Sequence, residues 1–161
     1  MAGAAQDTDP PPPLVRNNAD RFDAPLRFLN GRFDLKVSAR DTDGALCIID
    51  TLRSEPGGPP LHLHDAQDEW FFVVEGSFVV QVGSTTHHLG PGDSVLGPRG
   101  IPHAFANTSP TGRLIVLFQP AGSMERFFKE GSEMGKLTPE TFRTLSEQHG
   151  MRVVGPPLNT A

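Results

Sequence analysis

Between about residues 30 and 120 the apolar residues fall in runs of roughly four to eight, rich in Val, Ile and Phe and broken by Gly and Pro. That punctuation predicts strands. They lie at Phe33 to Ala39, Ala45 to Leu52, Leu61 to His64, Asp93 to Leu96, His103 to Asn107 and Arg113 to Phe118. Glu69 to Val82 reads as a hairpin, because two apolar runs flank Glu75-Gly76, a dipeptide able to supply the positive φ angles of a tight turn. In that register Val74 faces Ser77, Val73 faces Phe78, Phe71 faces Val80 and Glu69 faces Val82. Glu69 then shares a face with Phe71, Val73, Phe78 and Val80. The other face carries Trp70, Phe72, Val74 and Val79, so both sides need cover. After Pro120 the pattern changes. Met124 to Lys129 suits a short helix, and Thr138-Pro139-Glu140 opens a second, with Thr138 as N-cap, Pro139 in the first helical position and Gly150 as the stop. These helices read as scaffold.

Composition narrows the picture. Seventeen Gly and sixteen Pro favour turns over long helices. A chain of 161 residues suits one domain, able to bury about 70% of its unfolded surface without a disulfide or structural metal. A metal, if present, should therefore serve chemistry. Net charge is −5, with 14 Lys and Arg against 19 Asp and Glu, which argues against nucleic acid or an anionic membrane surface as partner. The single Cys47 excludes an internal disulfide, reads as a small core side chain and suits a reducing cytoplasm. The longest apolar runs, Trp70 to Val74 and Leu114 to Phe118, fall far short of the roughly 20 residues of a membrane span. Met1 to Pro13 is acidic and proline-rich, without the pattern of a signal peptide. The expected organisation is a disordered tail over 1–20, a β-barrel over 21–120 and a helical extension over 121–161.

Candidate chemistry gathers in two stretches. In Gly57 to Glu69, His62 and His64 stand two apart on a strand and can aim both imidazoles at one ion. Residues 65–68 make a short turn that can return Glu69 beside them. In Gly92 to Asn107 a strand, a Pro/Gly turn and a second strand beginning at His103 offer a fourth ligand. The expected hairpin register puts Phe71 and Val80 on the face of Glu69, and two-residue spacing puts Phe105 and Asn107 on the face of His103. These four are the candidate substrate pocket, although the Asn107 amide also suits a structural bond to backbone at the strand end. Trp70, Phe72 and Val79 are expected on the exterior as a homodimer contact, and His87 and His88 as solvated residues.

With these residues the chain resembles the cupin superfamily. His62, His64, Glu69 and Gly76 fall at the spacings of its first motif, with one, four and six residues intervening, and Gly92, Pro98, Gly100, His103 and Asn107 match its second. Gly57 leaves four residues before His62, where the family usually has five. The resemblance covers roughly residues 30–120 and implies an all-β fold, a double-stranded β-helix or jelly-roll barrel with short C-terminal helices. It also implies that His62, His64, Glu69 and His103 bind one divalent transition metal per subunit. Three imidazoles and a carboxylate suit Fe, Mn, Ni, Co or Zn without choosing among them. On a six-coordinate ion, four protein ligands would leave positions for substrate or dioxygen.

Within the superfamily, Asp68-Glu69-Trp70-Phe71, the Pro98 to His103 turn and the tail Gly150 to Leu158 look most like single-domain quercetinase-like proteins. That resemblance implies a dioxygenase, with O2 and a phenolic or enol-bearing small molecule as substrates, flavonol-like or polyketide-like, and Glu69 as catalytic proton acceptor as well as ligand. The alternatives are a metal-dependent isomerase or cyclase of a sugar or polyketide, and a non-catalytic small-molecule-binding cupin. Metal-free sugar epimerases of the superfamily rely on a Tyr acid, and this chain has no Tyr. No Lys lies between Lys36 and Lys129, and Arg53, Arg99 and Arg113 all stand near strand ends or turns, so a phosphorylated substrate would find few cationic partners.

Overall fold

A computed structural model describes residues 13–161. Along the chain come β1 (Leu26–Phe28), β2 (Gly31–Val37), β3 (Cys47–Arg53), β4 (Pro60–His64), β5 (Asp68–Glu75) and β6 (Phe78–Val82). β7 (Thr85–Leu89), β8 (Ser94–Gly97), β9 (His103–Asn107) and β10 (Gly112–Gln119) follow, then helices α1 (Met124–Glu133) and α2 (Pro139–Gln148), then β11 (Met151–Pro157). The strands form two antiparallel sheets, ordered β1-β2-β3-β10-β5-β8 and β11-β4-β9-β6-β7. This is the all-β jelly-roll with short C-terminal helices that the sequence predicts. The period-2 rule is plainest in β10, where Leu114, Val116 and Phe118 are buried while Arg113, Ile115 and Leu117 are only partly so.

One expectation is overturned. β5 and β6 do not pair as a hairpin: β5 lies between β10 and β8 in the first sheet, and β6 between β9 and β7 in the second. The turn at Gly76 is an arch from one sheet to the other. Gly76 has φ +81, and a Cβ there would lie 2.6 Å from both Ser109 Oγ and the Thr111 carbonyl oxygen. Each apolar strand gains two backbone partners in its own sheet, where a hairpin would have supplied one shared pairing. The facing survives the change of pairing, since Glu69, Phe71, Val73, Phe78 and Val80 are all buried. They meet across the interior instead of side by side.

The arch also divides the expected exterior patch. Val79 sits in the second sheet and is buried, whereas Trp70 and Phe72 stack on the outer face of the first with ring centroids 5.7 Å apart. Their cross-strand partners are apolar too: Leu117 and Leu96 flank Trp70, and Ile115 pairs with Phe72. Leu96 is 49% exposed, so this face is open.

Three strands go beyond the sequence expectation. β1 is a short edge, β7 is the polar edge strand carrying His87 and His88, and β11 brings the end of the chain back beside β4. The C-terminal extension over 121–161 is thus part of the barrel as well as helical. Residues 16–20 are also held to it, since Lys36 donates to the Arg16 and Ala19 carbonyls and the Asp20 carboxylate accepts from Leu35 N–H. The rest of the expected tail, up to residue 12, lies outside the described residues.

Helix α2 starts as predicted, with Thr138 accepting from Thr141 N–H and Pro139 in the first turn. α1 docks through Phe127, which meets Phe28 edge-on at 5.5 Å and Phe142 of α2 at 6.1 Å. The Glu125 carboxylate accepts from Ser38 Oγ and Ala39 N–H, tying α1 to the end of β2. Among the described residues no helix is long and apolar enough to cross a membrane.

Gly44 provides a control for the arch, with φ +80 and nothing within 4 Å of an added Cβ. Gly44→Ala should lose about 1–2 kcal/mol for the left-handed backbone alone. Gly76→Ala should lose about 1–3 kcal/mol more from its contacts. Urea unfolding of the two variants checks this, and equal losses would mean that the arch has room for a side chain.

Candidate metal centre

The two sheets supply different halves of the site. His62 and His64 point inward from β4, and His62 is the cross-strand partner of His103 on β9, so all three imidazoles come from the second sheet. Glu69 comes from β5 in the first. All four are buried, and one ligand atom from each lies within 4.8 Å of the others. The Glu69 Oε2 atom is 2.6 Å from His103 Nε2, 3.0 Å from His64 Nε2 and 3.8 Å from His62 Nε2. The backbone leaves space for this convergence. Gly97, opposite Glu69 on β8, would bring a Cβ within 3.0 Å of the His103 ring.

Each imidazole is aimed by its other nitrogen. His62 Nδ1 lies 2.8 Å from the Pro60 carbonyl, His103 Nδ1 3.0 Å from the Ile101 carbonyl, and His64 Nδ1 3.1 Å from Gln67 Oε1. These oxygens can only accept, so each Nδ1 carries the proton and donates it. Gln67 is oriented in turn by donating from Nε2 to the Ala121 carbonyl at 2.9 Å. Gly122 makes room for it, since a Cβ there would lie 2.2 Å from Gln67 Nε2. The three Nε2 lone pairs therefore face one carboxylate oxygen, which is repulsive without positive charge among them. A proton can serve one of these contacts, whereas a metal ion serves all, so the donor set fits a divalent transition metal.

A proton taken up at Nε2 turns an imidazole into a donor to Glu69, and the titration of the cluster follows from that. Burial pushes the Glu69 carboxyl up, but hydrogen bonds from the His103, His62 and His64 rings outweigh it and hold the group well below the usual carboxylate range. Burial keeps the His62 imidazole below its ordinary value. It acts in the same sense on His103, where the closer Glu69 carboxylate prevails and raises the pKa.

The turns that carry the ligands are fastened together. Arg99, in the turn before His103, donates from its backbone N–H and from Nε to Asp68 Oδ1, next to Glu69. Arg99 depresses the Asp68 carboxyl to about 2. Gly100 N–H also bonds the His64 carbonyl at 2.8 Å.

His62, His64 and Glu69 border a narrow apolar cavity of about 40 Å³. Phe105 lines it, as do Met124, Phe127 and Phe128 of α1 and Phe142 of α2. The helices expected to be scaffold thus form part of its wall. Phe71 packs against the His103 ring at 5.8 Å, Val80 lies in the core, and Asn107 donates to the Ser109 carbonyl at 2.9 Å. None of these three borders the cavity. Cys47 is fully buried, its thiol pushed up to about 12 by burial. Gln67 escapes sequence reasoning because its partner lies 54 residues away. Its one signal is that it is the sole amide in the turn between two ligand strands.

Residues 51–120 match the family model described as Cupin domain. The chain folds as a cupin. It superposes on an RmlC-like cupin from Shewanella frigidimarina with TM-score 0.52 and 24% identity, over 61% of this chain and 84% of that one. KdgF from Halomonas sp. gives 0.55 and 20%, over 60% and 86%. Pac13, a nucleoside dehydratase of Streptomyces, gives 0.55 and 12%, over 85% and 88%. An uncharacterized protein of Streptomyces coelicolor is 40% identical over 58 residues, 36% of this chain and 55% of that protein, so the chain spans about half the length of the curated relative it matches. The cluster of His62, His64, Glu69 and His103 fits a cupin metal site.

Elemental analysis after reconstitution should find close to one divalent ion per subunit, lost in His103→Ala. Gln67→Ala should keep the fold by circular dichroism while weakening metal affinity by about 10–100-fold, the usual range for a group that orients a ligand. Unchanged affinity would remove Gln67 from the site's support.

Proposed function

We propose that the protein is a metal-dependent cupin oxidoreductase, a dioxygenase of a phenolic or enol-bearing small molecule. One observation carries the reading: a buried set of three histidines and one glutamate opens on a cavity walled by aromatic rings. A bound ion would supply Lewis acidity and a place for substrate oxygen and O2. Glu69 sets a carboxylate oxygen among the three imidazoles, where it can accept the substrate's hydroxyl proton. Phe105, Phe127 and Phe128 would pack against a flat apolar ligand and exclude water.

The O2-independent alternative is a metal-dependent isomerase, cyclase or dehydratase, a reading prompted by the nucleoside dehydratase Pac13 on the same fold. Turnover of a phenolic and enolic panel, with and without O2, decides between them. The dioxygenase reading expects product only with O2, and in Glu69→Gln at full metal occupancy a fall of roughly 100-fold or more. Equal product without O2 would promote the isomerase. No turnover across phenolic and sugar panels would favour a binding protein.

The reading includes a homodimer formed through the outer face of the first sheet. Trp70, Phe72, Leu96, Ile115 and Leu117 make a continuous apolar surface there, of a kind that monomers rarely leave open. Light scattering at micromolar concentration should give twice the chain mass, reduced to the monomer by Leu96→Glu. A monomer mass for the wild type would overturn this part.

A further inference from the structure

Two of the three strand-end arginines in the barrel have carboxylate partners: Arg99 holds Asp68, and Arg113 donates from Nε to Asp50 at 3.0 Å. Arg53 has none. It closes β3 with 3% of its surface exposed, its Nε lacks a hydrogen-bond partner, and among the described residues no carboxylate forms an ion pair with it. Exposed Glu55, two residues on, contributes only its charge at a distance, and burial lowers the Arg53 pKa to about 10. Asp34 and Asn107 each leave one oxygen unpartnered too, but another atom of each is bonded. A buried guanidinium without an anion is far more costly.

The backbone prepares its place. Cys47, Ile49, Thr51 and Arg53 alternate inward along β3, and the register partners of Arg53 are both glycines, Gly31 on β2 and Gly112 on β10. A Cβ on Gly31 would lie 2.6 Å from Arg53 Nη1, so the missing side chain opens the slot in which the guanidinium sits. On its other side is the Phe105 ring, 5.8 Å from the guanidinium carbon and two residues from the ligand His103.

Arg53 also lies between two spaces. It borders the cavity of His62, His64 and Glu69, and equally an outer groove of about 810 Å³, large enough for a small organic molecule. Phe28 and Leu29 are the other residues common to both, so Arg53 is the polar group on the dividing wall. Arg27, Arg32 and Lys136 line the groove with the acid Glu75, and although Arg32 is paired with Asp34, Arg27 and Lys136 leave a local excess of positive charge in a chain of net charge −5.

We propose that Arg53 binds the carboxylate of a small organic acid that enters from the outer groove and directs an oxygen toward the metal centre. This deepens the function proposed above and rests on it for the contact at the metal, whereas the carboxylate contact stands on Arg53 alone. The guanidinium fork matches a carboxylate in two parallel hydrogen bonds, and the anion supplies the partner the fold withholds.

Calorimetry with phenylpyruvate, its methyl ester and phenyl phosphate tests this on the metal-loaded and the chelator-treated full chain. Wild type should bind phenylpyruvate at least tenfold more tightly than the ester in both forms. Arg53→Met should erase that preference at unchanged metal content, and Arg53→Lys should keep part of it. Without ligand, Arg53→Met should melt at or above the wild-type temperature, because an unpaired buried charge has been removed. A fall of more than about 5 °C, well over the shift from about 1 kcal/mol in a domain of this size, would make Arg53 structural and overturn the proposal. So would a wild type that binds none of the three probes or ignores the ester, or a preference surviving in Arg53→Met. Tighter binding of phenyl phosphate would overturn the carboxylate assignment. Arg53-dependent binding without O2 turnover would sink only the dioxygenase, and turnover indifferent to Arg53 would sink only this proposal.

Discussion

Three imidazole lone pairs and a carboxylate brought together in a dry interior repel one another unless positive charge stands between them, and the barrel is organised around that place. The histidines are mounted on one sheet and Glu69 on the other, so the centre exists only when the sheets face each other. Interior side chains also serve the centre: the Phe71 ring lies against His103 and the Phe118 ring against His64. Folding and assembly of the donor set are therefore one event. The arch at Gly76 is the local device behind it, because it sends the chain across the core after Glu69 instead of back along the same sheet.

The precision of the centre comes from the groups behind the ligands. Two imidazoles lean on carbonyls two residues before them, at Pro60 and Ile101, so the strand entries that place these histidines also orient them. His64 leans on Gln67, and through it on Ala121, just beyond the end of β10. His149 holds the covering helices in a similar way, bonded to Ser123 at 2.8 Å on one side and to Glu130 at 2.8 Å on the other.

What the sequence made legible was whatever depends on neighbours along the chain. Two-residue spacing put His62 with His64 on one face, and parity put Glu69 with Phe71 and Val73, whatever strand came alongside. Pairing itself is not local. A short turn between two apolar strands suits a hairpin or an arch equally, and only partners such as Leu114 and Ala106, far off in the chain, decide between them. β7 stayed invisible because Thr-Thr-His-His-Leu has no apolar alternation, and β11 because Gly155, Pro156 and Pro157 argue against a strand that an edge position tolerates. Nor could spacing separate Arg53 from Arg99 and Arg113, since a missing partner is a fact of three dimensions.

The link from Gln67 to Ala121 joins the support of a ligand to the wall of the cavity. The carbonyl that steadies the His64 relay stands three residues before Met124, and Met124 is part of the wall over the same cavity. Mount and wall share one short length of chain. A substitution that shifts the start of α1 would therefore reach the amide behind His64 as well as the cavity wall.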